Sequence, residues 1–254
     1  MTQIFSLAGK VALVTGAGQG AGAGIAALFA RQGAAIIVND VVGERAEAQA
    51  QAIRDAGGKA VAQAFDVTDL EAVRRGIAAG ESALGGPVDI LVNNAGNGGA
   101  EGPLRMLPFA DLPPEAWQAT LAVNIYGAMN CLHVVLKPMV TRGWGRIITI
   151  ASTAGTQGIN GGMAHYGAGK GGSIALTRHI ALENARFGIT ANSVALGLIR
   201  QDDSELFNKL ARSLPVGRRG TPEDVAALCL YIASEEAGWF TGQTVELNGG
   251  AFTT

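Results

Sequence analysis

Short apolar runs alternate with longer mixed segments along the whole chain, beginning with the run 10–14 (KVALV). Near-continuous apolar runs of this length are typical of parallel strands that are buried on both faces. Strands alternating with helices predict one doubly wound α/β domain spanning residues 1–254, with about seven parallel strands. Strands are predicted near 10–15, 34–39, 60–65, 88–92, 145–151, 189–194 and 243–247, and helices near 21–32, 43–56, 69–84, 114–140, 164–187 and 222–234.

A glycine-rich turn, Thr15–Gly22 (TGAGQGAG), follows the first predicted strand and precedes an alanine-rich helix. Glycines in such a turn let the backbone approach a pyrophosphate closely, and the helix N-terminus offers free N–H groups to that anion. The chain has 37 glycines, so a merely flexible loop is the alternative. The strand on one side and the helix on the other favour a nucleotide site.

The second apolar run ends at Asn39-Asp40. A carboxylate at the end of this strand can accept hydrogen bonds from the adenosine ribose hydroxyls and would repel a 2′-phosphate. No Lys or Arg occurs between Lys10 and Arg31 to neutralise that phosphate. We therefore expect NAD(H) rather than NADP(H) as the cofactor. The alternative is that Asp40 only starts a turn or caps the helix near Gly43.

Tyr166 and Lys170 lie four residues apart, and Ser152 lies fourteen residues upstream of Tyr166. Residues at this spacing share one face of a helix, so a phenol and an ammonium group would lie side by side. A free tyrosine has a pKa of about 10, and a nearby cation would lower it toward neutral pH. Taken alone, the spacing also fits an ordinary amphipathic helix.

Three further strands end in small polar residues: Asp66-Val67, the NNAG segment Asn93–Gly96, and Ser152. Ligands of open parallel sheets bind at the carboxyl ends of the strands. Each residue could instead serve an ordinary turn or helix cap, which is the commoner role of these residue types. Their recurrence predicts a binding edge, where Asp66 could accept a hydrogen bond from the adenine amino group.

Together, these motifs and their order resemble the short-chain dehydrogenase/reductase family, and the resemblance covers essentially the whole chain. It implies a Rossmann-type fold and a nicotinamide-dependent oxidoreductase. The motifs that carry it are Thr15–Gly22, Asp66-Val67, Asn93–Gly96, Asn124, Ser152 and Tyr166–Lys170, followed by Arg218, Pro222–Val225, Thr241–Gln243 and Asn248–Gly250.

The resemblance implies a role for each of four catalytic residues. Tyr166 would be the acid–base, Lys170 would lower the pKa of Tyr166 and bind the nicotinamide ribose, and Ser152 would hydrogen-bond the substrate oxygen. Asn124 would hold a water that relays protons to Lys170. The residues expected to bind cofactor are Gly16, Gln19, Gly20, Ala21, Gly22, Asp40, Asp66, Val67, Asn94, Ala95, Gly96, Tyr166, Lys170, Gly197 and Ile199.

The chain departs from the family pattern after the sixth strand. Leu196 replaces the usual proline, and Gln201 stands near the usual threonine, which contacts the nicotinamide carboxamide. Backbone groups of Ile199 could make that contact instead.

The expected substrate pocket is formed by loops near 97–114 and 198–214, together with residues near 155–165. Its candidate lining residues are mostly apolar, which predicts a hydrophobic small molecule that is interconverted between secondary alcohol and ketone. The alternatives are a 3-oxoacyl-thioester reductase acting on acyl carrier protein or CoA, an isomerase or lyase that uses bound NAD transiently, and a dinucleotide-sensing regulator without turnover. The candidates are Met106, Leu107, Phe109, Ile159, Met163, Leu198, Ile199, Leu206 and Phe207.

Composition bears on nucleic-acid binding, location, metal binding and assembly. The net charge of −2 and a charged fraction of 16% give no basic face for nucleic acid. We find no signal peptide and expect no membrane-spanning stretch, so a cytoplasmic location is predicted. Cys131 and Cys229 lack metal-ligand spacing, and we expect both to be core thiols and no metal site. The apolar helices near 114–140 and 164–187 predict a homotetramer, as is common in the family.

Overall fold

The computed structural model describes residues 4–96, 104–199 and 205–253. Within these residues, seven parallel strands form one sheet in the order β3-β2-β1-β4-β5-β6-β7, which confirms the predicted doubly wound α/β fold. The strands are β1 (Val11–Val14), β2 (Ala35–Asp40), β3 (Lys59–Ala64), β4 (Ile90–Asn93), β5 (Gly145–Ser152), β6 (Ile189–Leu196) and β7 (Thr244–Leu247).

Helices cover both faces of this sheet. They are α1 (Gly20–Arg31), α2 (Gly43–Asp55), α3 (Leu70–Leu84), α4 (Pro114–Leu121), α5 (Gly127–Arg142), α6 (Ala164–Asn184), α7 (Glu205–Arg212) and α8 (Pro222–Ala233). A π-helical segment, Ala122–Tyr126, joins α4 to α5 without a break.

Side chains of β1 alternate between two separate hydrophobic cores. Ala12 and Val14 belong to the core that packs against α1 and α8, whereas Val11 and Leu13 belong to the core that packs against α3 and α5. Because helices cover both faces of the sheet, ligands can approach the polar residues only from the side where the carboxyl ends of the strands lie. The chain runs from β1 out to β3 and then returns to β4 on the other side of β1, so the loops after β1 and β4 part and leave a crevice there.

One helix lies in a segment that we expected to be a loop. The predicted substrate loop 198–214 contains α7, Glu205–Arg212. The prediction missed it because an eight-residue helix offers barely two turns of periodicity.

The helical run from Pro114 to Arg142 is also longer than expected. By length and composition it could cross a membrane, so the expectation that no such stretch exists is wrong. Of its most apolar window, 44% is buried inside the protein. Cys131 on α5 and Cys229 on α8 are both buried free thiols, as predicted.

Candidate active site

The glycine turn after β1 is tied to the end of β4 by a reciprocal set of hydrogen bonds. The Thr15 hydroxyl accepts from the backbone N–H groups of Asn94 and Ala95, at 3.0 Å each. In return, Asn94 Nδ2 donates to the carbonyls of Thr15 and Gly16, at 2.8 and 3.0 Å. The side chain of Asn94 therefore holds the turn in place, and Thr15, which was not among the residues expected to bind cofactor, shares this role.

Two positions of the turn require glycine, one because of its positive φ and the other because neighbouring atoms leave no room for a side chain. Gly16 has φ = 60°, and a Cβ on Gly22 would lie 2.5 Å from both Gly16 O and Asn94 Nδ2. Gln19, the N-cap of α1, makes no side-chain capping bond, so the first-turn N–H groups of α1 remain available to an anion. These features fit the pyrophosphate of a dinucleotide, with Gly20 and Ala21 in the first turn of the helix.

Asp40 ends β2 beside this turn and is only 5% exposed. Its Oδ2 accepts from Gly18 N at 3.1 Å, and its Oδ1 accepts from Val42 N at 3.0 Å. The carboxylate thus starts the turn into α2, as the alternative supposed. It also borders the glycine turn, where each oxygen keeps a further lone pair that can accept from a ribose hydroxyl.

For other residues that were expected to bind cofactor, the structure shows contacts within the protein itself. Asp66 Oδ1 accepts from Thr68 N at 2.8 Å. This is the turn-forming role that the sequence analysis gave as the alternative to recognition of the adenine amino group. Beyond β6, Gly197 N donates to Leu247 O, and Ile199 forms a single bridge with Gly220. Gln201 lies outside the described residues.

The structure brings the three expected catalytic side chains together. Ser152 ends β5, and Tyr166 and Lys170 lie one turn apart on α6. The Ser152 side chain lies close enough to the Tyr166 phenol to lower the pKa of the phenol, and its Oγ accepts from Ala154 N at 3.2 Å. The hydroxyl and the phenol are therefore neighbours, as a shared contact to one substrate oxygen requires.

Lys170 is almost fully buried at the base of this site. Its Nζ donates to the backbone carbonyl of Ile150 at 2.8 Å and lies 5.8 Å from the centroid of the Tyr166 ring. Burial lowers the pKa of Lys170 from 10.5 to about 8. The Ile150 carbonyl is a partner that no side-chain motif could reveal.

The pKa of Tyr166 moves in the direction opposite to that implied by the resemblance. Burial raises the pKa of the phenol, and the hydrogen bond from Ser152 offsets only part of this rise. Lys170 does not reverse the shift because its ammonium is directed to Ile150 O and is itself disfavoured by burial. Tyr166 therefore keeps its proton at neutral pH.

Asn124 lies in the π-helical segment between α4 and α5, a kind of irregularity that is frequent at functional sites. Its Nδ2 donates to Thr120 O at 2.8 Å. A Cβ placed on Gly96 would lie 2.9 Å from Asn124 Oδ1 and 2.8 Å from Lys170 Nζ, so the two side chains meet at this glycine. A cavity of about 10 Å³ lined by both has room for one water, as a proton relay needs.

Two of the expected pocket segments converge at Gly161-Gly162. Met106 Cε and Met163 Cε would each lie 3.7 Å from a Cβ on Gly161, and the backbone of Leu107 covers Gly162. Phe109 instead stacks on a tryptophan of α4, with ring centroids 5.2 Å apart. Residues 97–103 and the side chains of residues 206 and 207 lie outside the described parts of the chain.

Taken together, the fold and the Ser–Tyr–Lys arrangement beside a dinucleotide turn define a nicotinamide-dependent oxidoreductase. Residues 16–252 match the family model described as Enoyl-(Acyl carrier protein) reductase. The chain belongs to the short-chain dehydrogenase/reductase family.

The matching relatives span almost the whole chain. Acetoacetyl-CoA reductase of Rhizobium meliloti is 36% identical over 249 residues, covering 96% of this chain and 98% of its own. The 3-oxoacyl-(acyl-carrier-protein) reductase of Vibrio cholerae is 38% identical over 253 residues, covering 97% and 99%.

Solved structures with the same fold are named for different substrates. Gluconate 5-dehydrogenase from Burkholderia cenocepacia, in complex with NADP and tartrate, has a TM-score of 0.88 at 35% identity and covers 97% of this chain and 96% of its own. A 7α-hydroxysteroid dehydrogenase complexed with NADH has a TM-score of 0.89 at 32% identity, with 97% and 95% covered.

Proposed function

We propose that the protein interconverts 3-oxoacyl and 3-hydroxyacyl thioesters with NAD(H). The observation that carries this proposal is that relatives named as acetoacetyl-CoA and 3-oxoacyl-(acyl-carrier-protein) reductases match over nearly their whole length. The sequence analysis ranked a generic hydrophobic alcohol or ketone first and the thioester second, and the comparisons favour the second.

Four side chains divide the chemistry around the substrate carbonyl. A bound nicotinamide supplies the hydride in reduction and accepts it in oxidation. Tyr166, hydrogen-bonded to Ser152, donates the proton to the carbonyl oxygen in reduction or takes it from the alcohol in oxidation. Ser152 holds the same oxygen, and the Asn124–Lys170 pair supplies a route by which Tyr166 recovers its proton.

Asp40 supports NAD(H) as the preferred cofactor. A 2′-phosphate would have to approach a buried carboxylate that is fixed by two backbone N–H groups and cannot turn away. Like charges in a partly desolvated cleft cost several kcal/mol. The test is kcat/KM with NADH and NADPH measured in parallel, and a preference for NADPH would overturn the role given to Asp40.

The substrate proposal is tested by following reduced nicotinamide absorbance with acetoacetyl-CoA, an acetoacetyl-carrier protein, a 7-oxosteroid and a keto-gluconate. We expect turnover with the thioesters to exceed the others, and Tyr166→Phe, which keeps the ring but lacks the hydroxyl, to abolish it. Faster turnover of the steroid or sugar acid would reject the thioester in favour of a small alcohol or ketone. No turnover of any substrate, with NADH still bound, would favour a dinucleotide sensor.

We also propose a homotetramer. Helices α5 and α6 expose apolar side chains that a second copy of the chain could cover. Tyr126 directly precedes α5, Met129 lies on α5, and Leu182 lies on α6 and is 77% exposed. Light scattering at micromolar concentration should give four times the chain mass of 25.9 kDa, and a monomer would refute this assembly.

A further inference from the structure

Glu246, on β7, reaches the loop that follows the catalytic serine. Its Oε1 accepts a hydrogen bond from Thr156 Oγ1 at 2.6 Å, although the two residues lie 90 positions apart in the chain. Strand β6 lies between β5 and β7 in the sheet, so the contact spans the end of β6. A hydroxyl bond to a carboxylate is short and about twice as strong as one between neutral groups. The edge strand is therefore tied firmly to the loop after Ser152.

That loop begins with a tight turn, residues 152–156, which we call the catalytic turn. Ser152 Oγ accepts from Ala154 N at 3.2 Å. At the other end of the turn, Thr156 N donates to Thr153 O at 3.1 Å. Because these bonds close the turn on itself, a displacement of Thr156 would also move the Ser152 hydroxyl.

Helix α6 packs closely against the catalytic turn. A Cβ on Gly155 would lie 2.8 Å from the backbone carbon of Lys170. A Cβ on Gly167, which directly follows Tyr166, would lie 2.7 Å from Ala154 O. The catalytic turn therefore rests on α6 in its middle and on the β7 carboxylate at its end.

The second oxygen of this carboxylate faces the cofactor side of the site. Glu246 Oε2 accepts from Asn248 Nδ2 at 3.4 Å, and the same Nδ2 donates to Phe252 O at 3.0 Å. A Cβ on Gly197, which is expected to bind cofactor, would lie 2.7 Å from Asn248 Cα. Asn248 would keep its bond to Phe252 and its packing on Gly197 if the carboxylate were removed. Loss of Glu246 should therefore release the catalytic turn and leave the cofactor side in place.

We propose that Glu246 is a positioning residue, which acts through Thr156 to hold the Ser152 hydroxyl where it meets the substrate oxygen. The inference rests on the proposed oxidoreductase function and deepens it. A displacement of about 1 Å at a reacting group can cost about 100-fold in rate. The effect of Glu246 should therefore appear in the chemical step rather than in the binding of NADH.

The experiment is a double-mutant cycle on kcat, measured with the carbonyl substrate that the wild type reduces fastest. Glu246→Ala and Thr156→Val should each lower kcat about tenfold. The double variant should also lose about tenfold rather than about 100-fold, because both changes remove the same contact. Glu246→Gln, which keeps an acceptor oxygen, should recover most of the loss.

Cofactor binding and a matched variant serve as controls. The dissociation constant of NADH, titrated by nicotinamide fluorescence, should change by less than about twofold in every variant. Glu71→Ala removes a carboxylate from an exposed pair with Arg74 on α3 and should leave kcat unchanged. Urea denaturation establishes that each variant folds, and Thr156→Val alone must show the loss if Glu246→Ala does not fold.

The pH profile separates positioning from a merely structural role. Ser152 lowers the pKa of Tyr166, so displacement of the catalytic turn in Glu246→Ala should move the pH profile of alcohol oxidation to higher pH. Glu246→Gln should restore the profile, whereas a carboxylate that only stabilises the fold would not move it.

The outcomes distinguish this inference from the function on which it rests. Wild-type kcat in the folded single variants, losses that multiply in the double variant, or an unmoved pH profile would overturn the role of Glu246 while leaving the oxidoreductase intact. A wild type that binds NADH but reduces no carbonyl substrate would overturn the proposed function and this inference together.

Discussion

Replacing Lys170 by methionine tests whether the buried ammonium group is held at the expense of stability. Lys170 is 5% exposed, and burial lowers its pKa from 10.5 to about 8. A shift of this size corresponds to about 3 kcal/mol between the two protonation states, at about 1.4 kcal/mol per unit. Methionine fills similar space without a charge but leaves Ile150 O without its donor, which costs about 1–3 kcal/mol.

The sign of the pH dependence follows from the direction of this shift. Because the pKa is lower in the folded protein, the unfolded chain holds more protons between pH 8 and 10.5. Wild-type stability should therefore gain from this group as the pH rises through that window. Between about pH 7 and pH 9.5 the gain is about 2 kcal/mol, and Lys170→Met should lack it. The free energy of unfolding of Lys170→Met relative to that of the wild type should therefore be most favourable at neutral pH.

Urea denaturation of both proteins at several pH values and one protein concentration measures this difference directly. Subtracting one curve from the other cancels groups that titrate identically in the two proteins. The control is Lys59→Met, which makes the same substitution at an exposed lysine of β3. If the Lys170→Met difference stays constant within about 0.5 kcal/mol across the range, the argument that burial disfavours the ammonium is refuted.

Three further predictions concern the same site and its support. Ser152→Ala removes the hydrogen bond that lowers the Tyr166 pKa, so the pH profile of alcohol oxidation should move to higher pH while turnover falls about 100-fold; an unmoved profile would mean that Tyr166 is not the titrating base. Gly96→Ala places a methyl 2.8 Å from Lys170 Nζ and should cut turnover about 100-fold, with a loss of about 1–3 kcal/mol in unfolding free energy; wild-type kinetics would show that this contact can relax freely. Thr221→Ala removes the capping box of α8 and should cost about 1 kcal/mol in urea denaturation, and no loss would show that the cap is redundant.

Most of the fold could be predicted from the pattern of apolar runs, because a parallel strand that is buried on both faces is apolar along its whole length. The same reasoning located Ser152 and Asp40 at strand ends, since parallel strands bring their carboxyl ends to one edge. It could not locate Asn124, whose position depends on a π-helical segment within a run that looks like ordinary helix. It could not reveal the Ile150 O partner of Lys170, because that contact depends on backbone position rather than residue type.

The opposite pKa shifts of Tyr166 and Lys170 have a chemical consequence for direction. Burial raises the pKa of the phenol above its ordinary value and lowers that of the ammonium to about 8, so the two proton affinities move apart and the ammonium becomes the stronger acid. A proton therefore passes downhill from the Lys170 ammonium to a Tyr166 phenolate, which suits a relay through the cavity beside Asn124. In the proposed mechanism Tyr166 therefore holds its proton at neutral pH and donates it to a carbonyl oxygen, and oxidation of an alcohol should require a more alkaline pH.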